Sequence, residues 1–102
     1  MTTYRLEGYR TELVINEDTT KEQMSEFVEK ELNHYIELVC NISELDEMGI
    51  GYKQRVWTHE LNYFSVPNPN GLGRIFDSKA SIKEHTKFLC EFIKEDLGIE
   101  VK

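Results

Sequence analysis

SEFVEKELNHYIELVCN, residues 25–41, is the stretch whose reading decides the fold. Placed at 100° per residue, Met24, Phe27, Val28, Leu32, Tyr35, Val39 and Ile42 cluster on one arc, with Ile36 and Leu38 widening it on either side. Apolar residues at i, i+3 and i+4 mark a helix with one face on a core. The stretch is therefore expected to be helical from Thr20 to about Asn41. Thr20 with Gln23 fits a capping box, as does Thr19 with Glu22. Asp18 and Glu22 near the start complement the helix dipole.

Opposite the apolar arc stand Glu22, Glu26, Glu29, Asn33 and Glu37, joined by Glu44 if the helix continues. From Glu22 to Glu37 such a ridge is roughly 22 Å long, at about 1.5 Å per residue. Lys30 sits off it. Like charges at i, i+4, such as Glu22 and Glu26, weaken a helix by only a few tenths of a kcal/mol, so a buried stripe easily carries them.

Upstream, Thr3–Ile15 is rich in tyrosine, threonine and aliphatic residues and reads as one or two strands bent at Gly8. Downstream, Ser43–Met48 reads as a helical turn stopped by Gly49 and Gly51. Tyr52–Val66, dense in aromatic and β-branched residues, carries the strongest strand signal. Apolar residues on both of its faces suggest a central strand or a bulge. Pro67–Gly73, with two prolines and an Asn-Gly pair, is a turn, and Arg74–Asp77 is its return strand. A last helix is capped by Asp77 or Ser78, with a capping box at Ser81 and Glu84 as an alternative. Ile82, Leu89, Phe92, Ile93 and Leu97 form its stripe, flanked by His85 and Phe88, and Gly98 ends it. The final Ile99–Lys102 is read as a short strand.

The expected architecture is a single α+β domain over residues 1–102: a two-layer sandwich, an antiparallel sheet with two helices on one face. The order β-α-β-β-α(-β) matches a split βαβ, ferredoxin-like sandwich.

The chain has 102 residues and a net charge of −7. The charge is unevenly placed. Residues 1–50 hold 12 acids and 4 bases, a balance of −8, and residues 51–102 hold 7 acids and 8 bases, a balance of +1. Such asymmetry suggests an interaction surface. It also disfavours direct binding to nucleic acid or anionic membrane. No apolar run reaches the length of a membrane span. The start has no apolar signal region, and Cys40 and Cys90 make no disulfide framework. A cytoplasmic protein with two free thiols is expected.

No catalytic or metal motif stands out, and no cofactor is expected. The spacings of His34, His59, His85, Cys40 and Cys90 fit no zinc pattern. Alternation sends His59 and Glu60 to opposite faces of a strand. Asn70–Arg74 lacks the lysine and helix of a phosphate-binding loop; Arg74 is taken as a possible polar anchor at a loop tip. The aromatics Tyr52, Trp57, Tyr63, Phe64 and Phe76 have too few bases among them for a nucleic-acid stacking platform.

In size and composition, though not in any motif, the chain is similar to small acidic phage-encoded inhibitors, the anti-CRISPR and anti-restriction proteins that mimic nucleic acid. This similarity implies a non-enzymatic inhibitor that occludes a basic nucleic-acid-binding surface of a partner protein. The expected contact residues are Glu17, Asp18, Glu22, Glu26, Glu29 and Glu37, with Arg74 on its loop. Two other classes are carried beside it. One is a homo-oligomeric assembly protein, a homodimer for example, joined through sheet edges and aromatics such as Tyr4, Tyr9 and Trp57. The other is a small hydrolase or ligand-binding domain using His59 or His85.

Overall fold

The structure, a computed structural model, describes residues 2–32 and 36–102. It begins with a hairpin, β1 (Thr3–Glu7) and β2 (Glu12–Ile15), followed by helix α1 (Lys21–Leu32). Next come two long strands, β3 (Glu37–Leu45) and β4 (Gly51–Glu60), and a short hairpin, β5 (Ser65–Pro67) and β6 (Arg74–Phe76). Helix α2 (Ser78–Phe92) runs on into a π-helical turn, Ile93–Leu97.

The main sheet has the order β2-β1-β3-β4, and every neighbouring pair is antiparallel. Leu6, Ile15, Leu38, Cys40, Ile42 and Trp57 of the sheet form one buried cluster with Met24, Phe27, Val28, Leu32, Leu89 and Ile93 of the helical layer. The chain is thus α+β, with an antiparallel sheet and two helices, as expected. β2, α1 and β3 make a split crossover, since β1 lies between the two strands. The remainder does not repeat that unit: an opening hairpin precedes α1, and β3 and β4 form a second hairpin. The order β-α-β-β-α(-β) is therefore not the observed one.

The decisive correction lies in the opening stretch. α1 ends at Leu32, and Glu37–Leu45 is a strand. Leu38, Cys40 and Ile42 are buried while Glu37 and Asn41 are exposed, an alternation of period two. Val39 and Ile42 suit either period; pairing with β1 on one side and β4 on the other settles it. Asn33 and Tyr35, assigned above to the long helix, and His34 lie outside the described residues.

The expected helical turn at Ser43–Met48 is likewise absent. Ser43–Leu45 belong to β3, and Asp46 turns the chain by accepting hydrogen bonds from the Met48 and Ile50 amides at 2.8 and 2.9 Å. Gly49 supplies the positive φ of 81°. β4 stops at Glu60 instead of running to Val66, and it is an edge strand. Its two apolar faces have different fates: Trp57 enters the core, and Val56 is 68% exposed.

The helix ends follow local chemistry. The Gln23 amide donates to Thr20 Oγ1 at 3.2 Å and the Thr20 amide to Gln23 Oε1 at 3.0 Å, a complete capping box. Asp77 caps α2 by accepting from the Lys79 and Ala80 amides. Ser81 is buried inside that helix rather than capping it. Gly98, at φ 73°, closes the π-helical turn. The last residues form no strand, but Lys102 exchanges backbone hydrogen bonds with Thr19 and Lys21 at 3.0 and 2.8 Å, and Ile99 and Val101 are buried.

The molecule is long: 55 × 24 × 18 Å, with a radius of gyration of 15.2 Å, against about 13 Å for a compact chain of this size.

Candidate functional site

α1 sorts its residues by direction. Met24, Phe27, Val28, Glu31 and Leu32 are buried, and Glu22, Glu26 and Glu29 are exposed on the opposite side. These three span roughly 10 Å along the axis, at about 1.5 Å per residue. Glu17 and Asp18, exposed in the turn before α1, extend the acidic surface. Glu12 on β2 flanks it, facing Glu26 across a shallow groove that also includes Gln23 and Lys30. Two of the acids meet lysines: Glu26 lies 3.5 Å from Lys30, and Asp18 lies 3.5 Å from Lys102. Exposed pairs of this kind contribute little to stability, and each offsets one of the five negative charges. Glu17, Glu22 and Glu29 form no ion pair among the described residues.

Glu37 does not belong to this surface. As the first residue of β3 it alternates away from Leu38, Cys40 and Ile42, so it sits on the sheet face opposite the helices, paired in register with Glu60. Arg74 opens β6 on the projecting arm, a different element again. The structure thus brings together Glu17, Asp18, Glu22, Glu26 and Glu29 and separates Glu37 and Arg74 from them.

Glu31 has a role that sequence reading missed. Its carboxylate is buried under the β1–β2 turn. It accepts hydrogen bonds from the amides of Tyr9 at 2.9 Å, Arg10 at 3.0 Å and Thr11 at 2.5 Å, and from the Thr11 hydroxyl at 3.0 Å. Three converging N–H groups make an anion cradle, here filled from within the chain. A Cβ on Gly8 would overlap the Glu31 carboxyl group, so the close approach requires glycine. The sequence signal was available: Glu31 lies at i+4 from Phe27 and i+7 from Met24, an acid on the apolar arc.

β4 and α2 bring His59 and His85 together, with ring centroids 5.1 Å apart. Phe88 packs on His59 at 4.4 Å and Trp57 at 5.8 Å. His85 is fully buried; its Nδ1 bonds to the Ser81 carbonyl at 2.8 Å. Nε2 of both rings is buried with no hydrogen-bond partner among the described residues. Burial pushes His85 below its ordinary value of 6.5. The pair packs between β4 and α2. Burial, with Glu31 nearby, pushes the Cys40 thiol up to about 12 and burial also raises Cys90, so neither is a ready nucleophile. Among the described residues no group of three or more His, Cys, Asp and Glu is arranged to hold a metal ion. No helix among them is long and apolar enough to cross a membrane.

A groove of about 660 Å³ runs between α1 and α2. Ile82, Thr86 and Cys90 lie along it, with Lys21, Lys79, Lys83 and Lys87 and the glutamates Glu29 and Glu91 beside them.

Comparison with known proteins finds no matching family model, no matching curated protein and no matching solved structure.

Proposed function

We propose that this chain is a non-enzymatic protein-binding module that uses the acidic surface on and around α1 to cover a basic, nucleic-acid-binding surface of a partner protein. The observation that carries the proposal is the exposure of Glu17, Asp18, Glu22, Glu26 and Glu29 on and just before α1, three of them in no ion pair among the described residues. A fixed row of carboxylates attracts basic surfaces at long range and disfavours acidic ones. The row is shorter than the ridge first expected, and its charge density is below that of a duplex, which carries about one charge per 1.7 Å. Occlusion would therefore rest on bulk and charge together, in the manner of the small phage inhibitors of similar composition.

The test is capture of partners from nuclease-treated lysate by three proteins: wild type, the Glu22, Glu26, Glu29→Gln variant, and Glu37→Gln. A nucleic-acid-binding protein retained by wild type and Glu37→Gln and lost with the triple variant supports occlusion by α1. Equal capture by all three removes the acidic surface from the function.

A further inference from the structure

Lys21, Lys79, Lys83 and Lys87 share a property that sets them apart in this acidic chain. Lys30, Lys53, Arg55, Lys94 and Lys102 each lie within ion-pair distance of a carboxylate. The four lysines without such a pair among the described residues all line the groove between α1 and α2. Three of them, Lys79, Lys83 and Lys87, fall at i, i+4 and i+8 and so make one row on α2; Lys87 also lies over the Phe88 ring at 5.9 Å. The neighbouring helix carries the complementary row, Glu22, Glu26 and Glu29. Each row is roughly 10–12 Å long, at about 1.5 Å per residue. Within one molecule Glu29 lines the groove with the three lysines, Glu91 stands at the end of their row, Glu22 and Glu26 are exposed on the same helix as Glu29, and no ion pair closes between the rows among the described residues.

We infer that this surface docks on itself, in a two-fold dimer in which α1 of each copy lies over α2 of the other. A two-fold axis running along the groove produces that arrangement, matching glutamates to lysines on both sides at once. An isologous contact requires a surface complementary to itself, and a row of three glutamates on one helix with a row of three lysines on the next meets that condition. Ile82 and Cys90 along the groove supply apolar area between the charged rows. Lysine-rich contacts are weak and screened by salt, so the dimer forms at high protein concentration and low ionic strength. The inference rests on the two charge rows and is independent of the partner proposed above. Because it uses the same glutamates, self-association hides the surface offered to that partner.

The experiment is mass measurement by light scattering with sedimentation equilibrium, at millimolar protein in low and high salt. Wild type is expected to rise from 12.0 kDa toward twice that mass in low salt, with affinity at least about tenfold weaker where the screening length falls below about 5 Å. The Lys79, Lys83, Lys87→Glu variant and the Glu22, Glu26, Glu29→Lys variant are each expected to stay monomeric. An equimolar mixture of the two restores the dimer, because each α1 then meets an opposite charge. Restoration also shows that both variants are folded. A wild type that stays monomeric in low salt overturns the inference, as does a dimer that survives either reversal. So does a mixture that remains monomeric while both variants keep the wild-type circular dichroism spectrum. None of these masses depends on the lysate capture above, so the two ideas can fail separately.

Discussion

Two side chains hold more of this molecule than their types suggest. The Glu31 carboxylate ties the β1–β2 turn to α1 by accepting from the Tyr9, Arg10 and Thr11 amides. Removing the charged acceptor gives those donors up to water, since Tyr9 and Arg10 are exposed, and loses the tie between turn and helix. Glu31→Ala is expected to lower unfolding free energy by about 3 kcal/mol, since bonds to charged groups contribute about 1.5–3 kcal/mol each and are not additive. Gly8→Ala is expected to weaken the same contact, because its methyl group takes the carboxylate's place. Urea denaturation of both variants checks this. His85 sets a pH dependence. Its folded value lies below 6.5 through burial, with the neighbouring His59 acting the same way. The unfolded chain therefore takes up the proton first. The stability linked to His85 is complete above about pH 6.5 and falls as the pH drops below it. Thermal midpoints from pH 7.5 to 5 should show this decline in wild type and a shallower one in His85→Phe. Arg55 and Asp96, 3.1 Å apart between β4 and the π-helical turn, are half exposed and expected to contribute little.

At the scale of elements, most of the fold was legible where local chemistry is self-sufficient. The Thr20–Gln23 capping box, the Asp77 cap, the Gly98 stop and the hairpin turn at Pro67–Gly73 each depend on residues within a few positions of one another. Asp77→Ala should accordingly destabilise the protein by about 1 kcal/mol, measurable by denaturation. What was not legible was the boundary between α1 and β3. Val39 and Ile42 continue a helical spacing begun at Met24, yet Leu38, Cys40 and Ile42 equally fit a strand, and only the positions of β1 and β4 choose between them. Reading Glu37 as the end of an acidic ridge followed from that one ambiguity. Glu22, Glu26 and Glu29 survived it because they lie within the capped, unambiguous part of the helix. The lysine row of α2 was passed over for a similar reason: counted along the sequence its helix is charge-balanced, and only the fold turns Lys79, Lys83 and Lys87 toward one groove.

At the scale of the whole molecule, charge and shape are both one-sided. α1 exposes Glu22, Glu26 and Glu29 and α2 exposes Lys79, Lys83 and Lys87, while the arm β5–β6 leaves Leu72, in its turn, 85% exposed. A two-stranded hairpin with so little support is marginally stable alone. Its amides should exchange with solvent much faster than those of β3, which is paired on both sides. Native-state hydrogen exchange will show whether that gradient holds. Competition tests the proposed block of a nucleic-acid site by the α1 acids. Labelled nucleic acid is bound to the captured partner and displaced with increasing wild-type protein or the Glu22, Glu26, Glu29→Gln variant, at low and at high salt. Occlusion by α1 predicts displacement by wild type that weakens with salt, and at least about tenfold poorer displacement by the variant, equivalent to about 1.4 kcal/mol. Displacement that is indifferent to both salt and the three glutamates would contradict it.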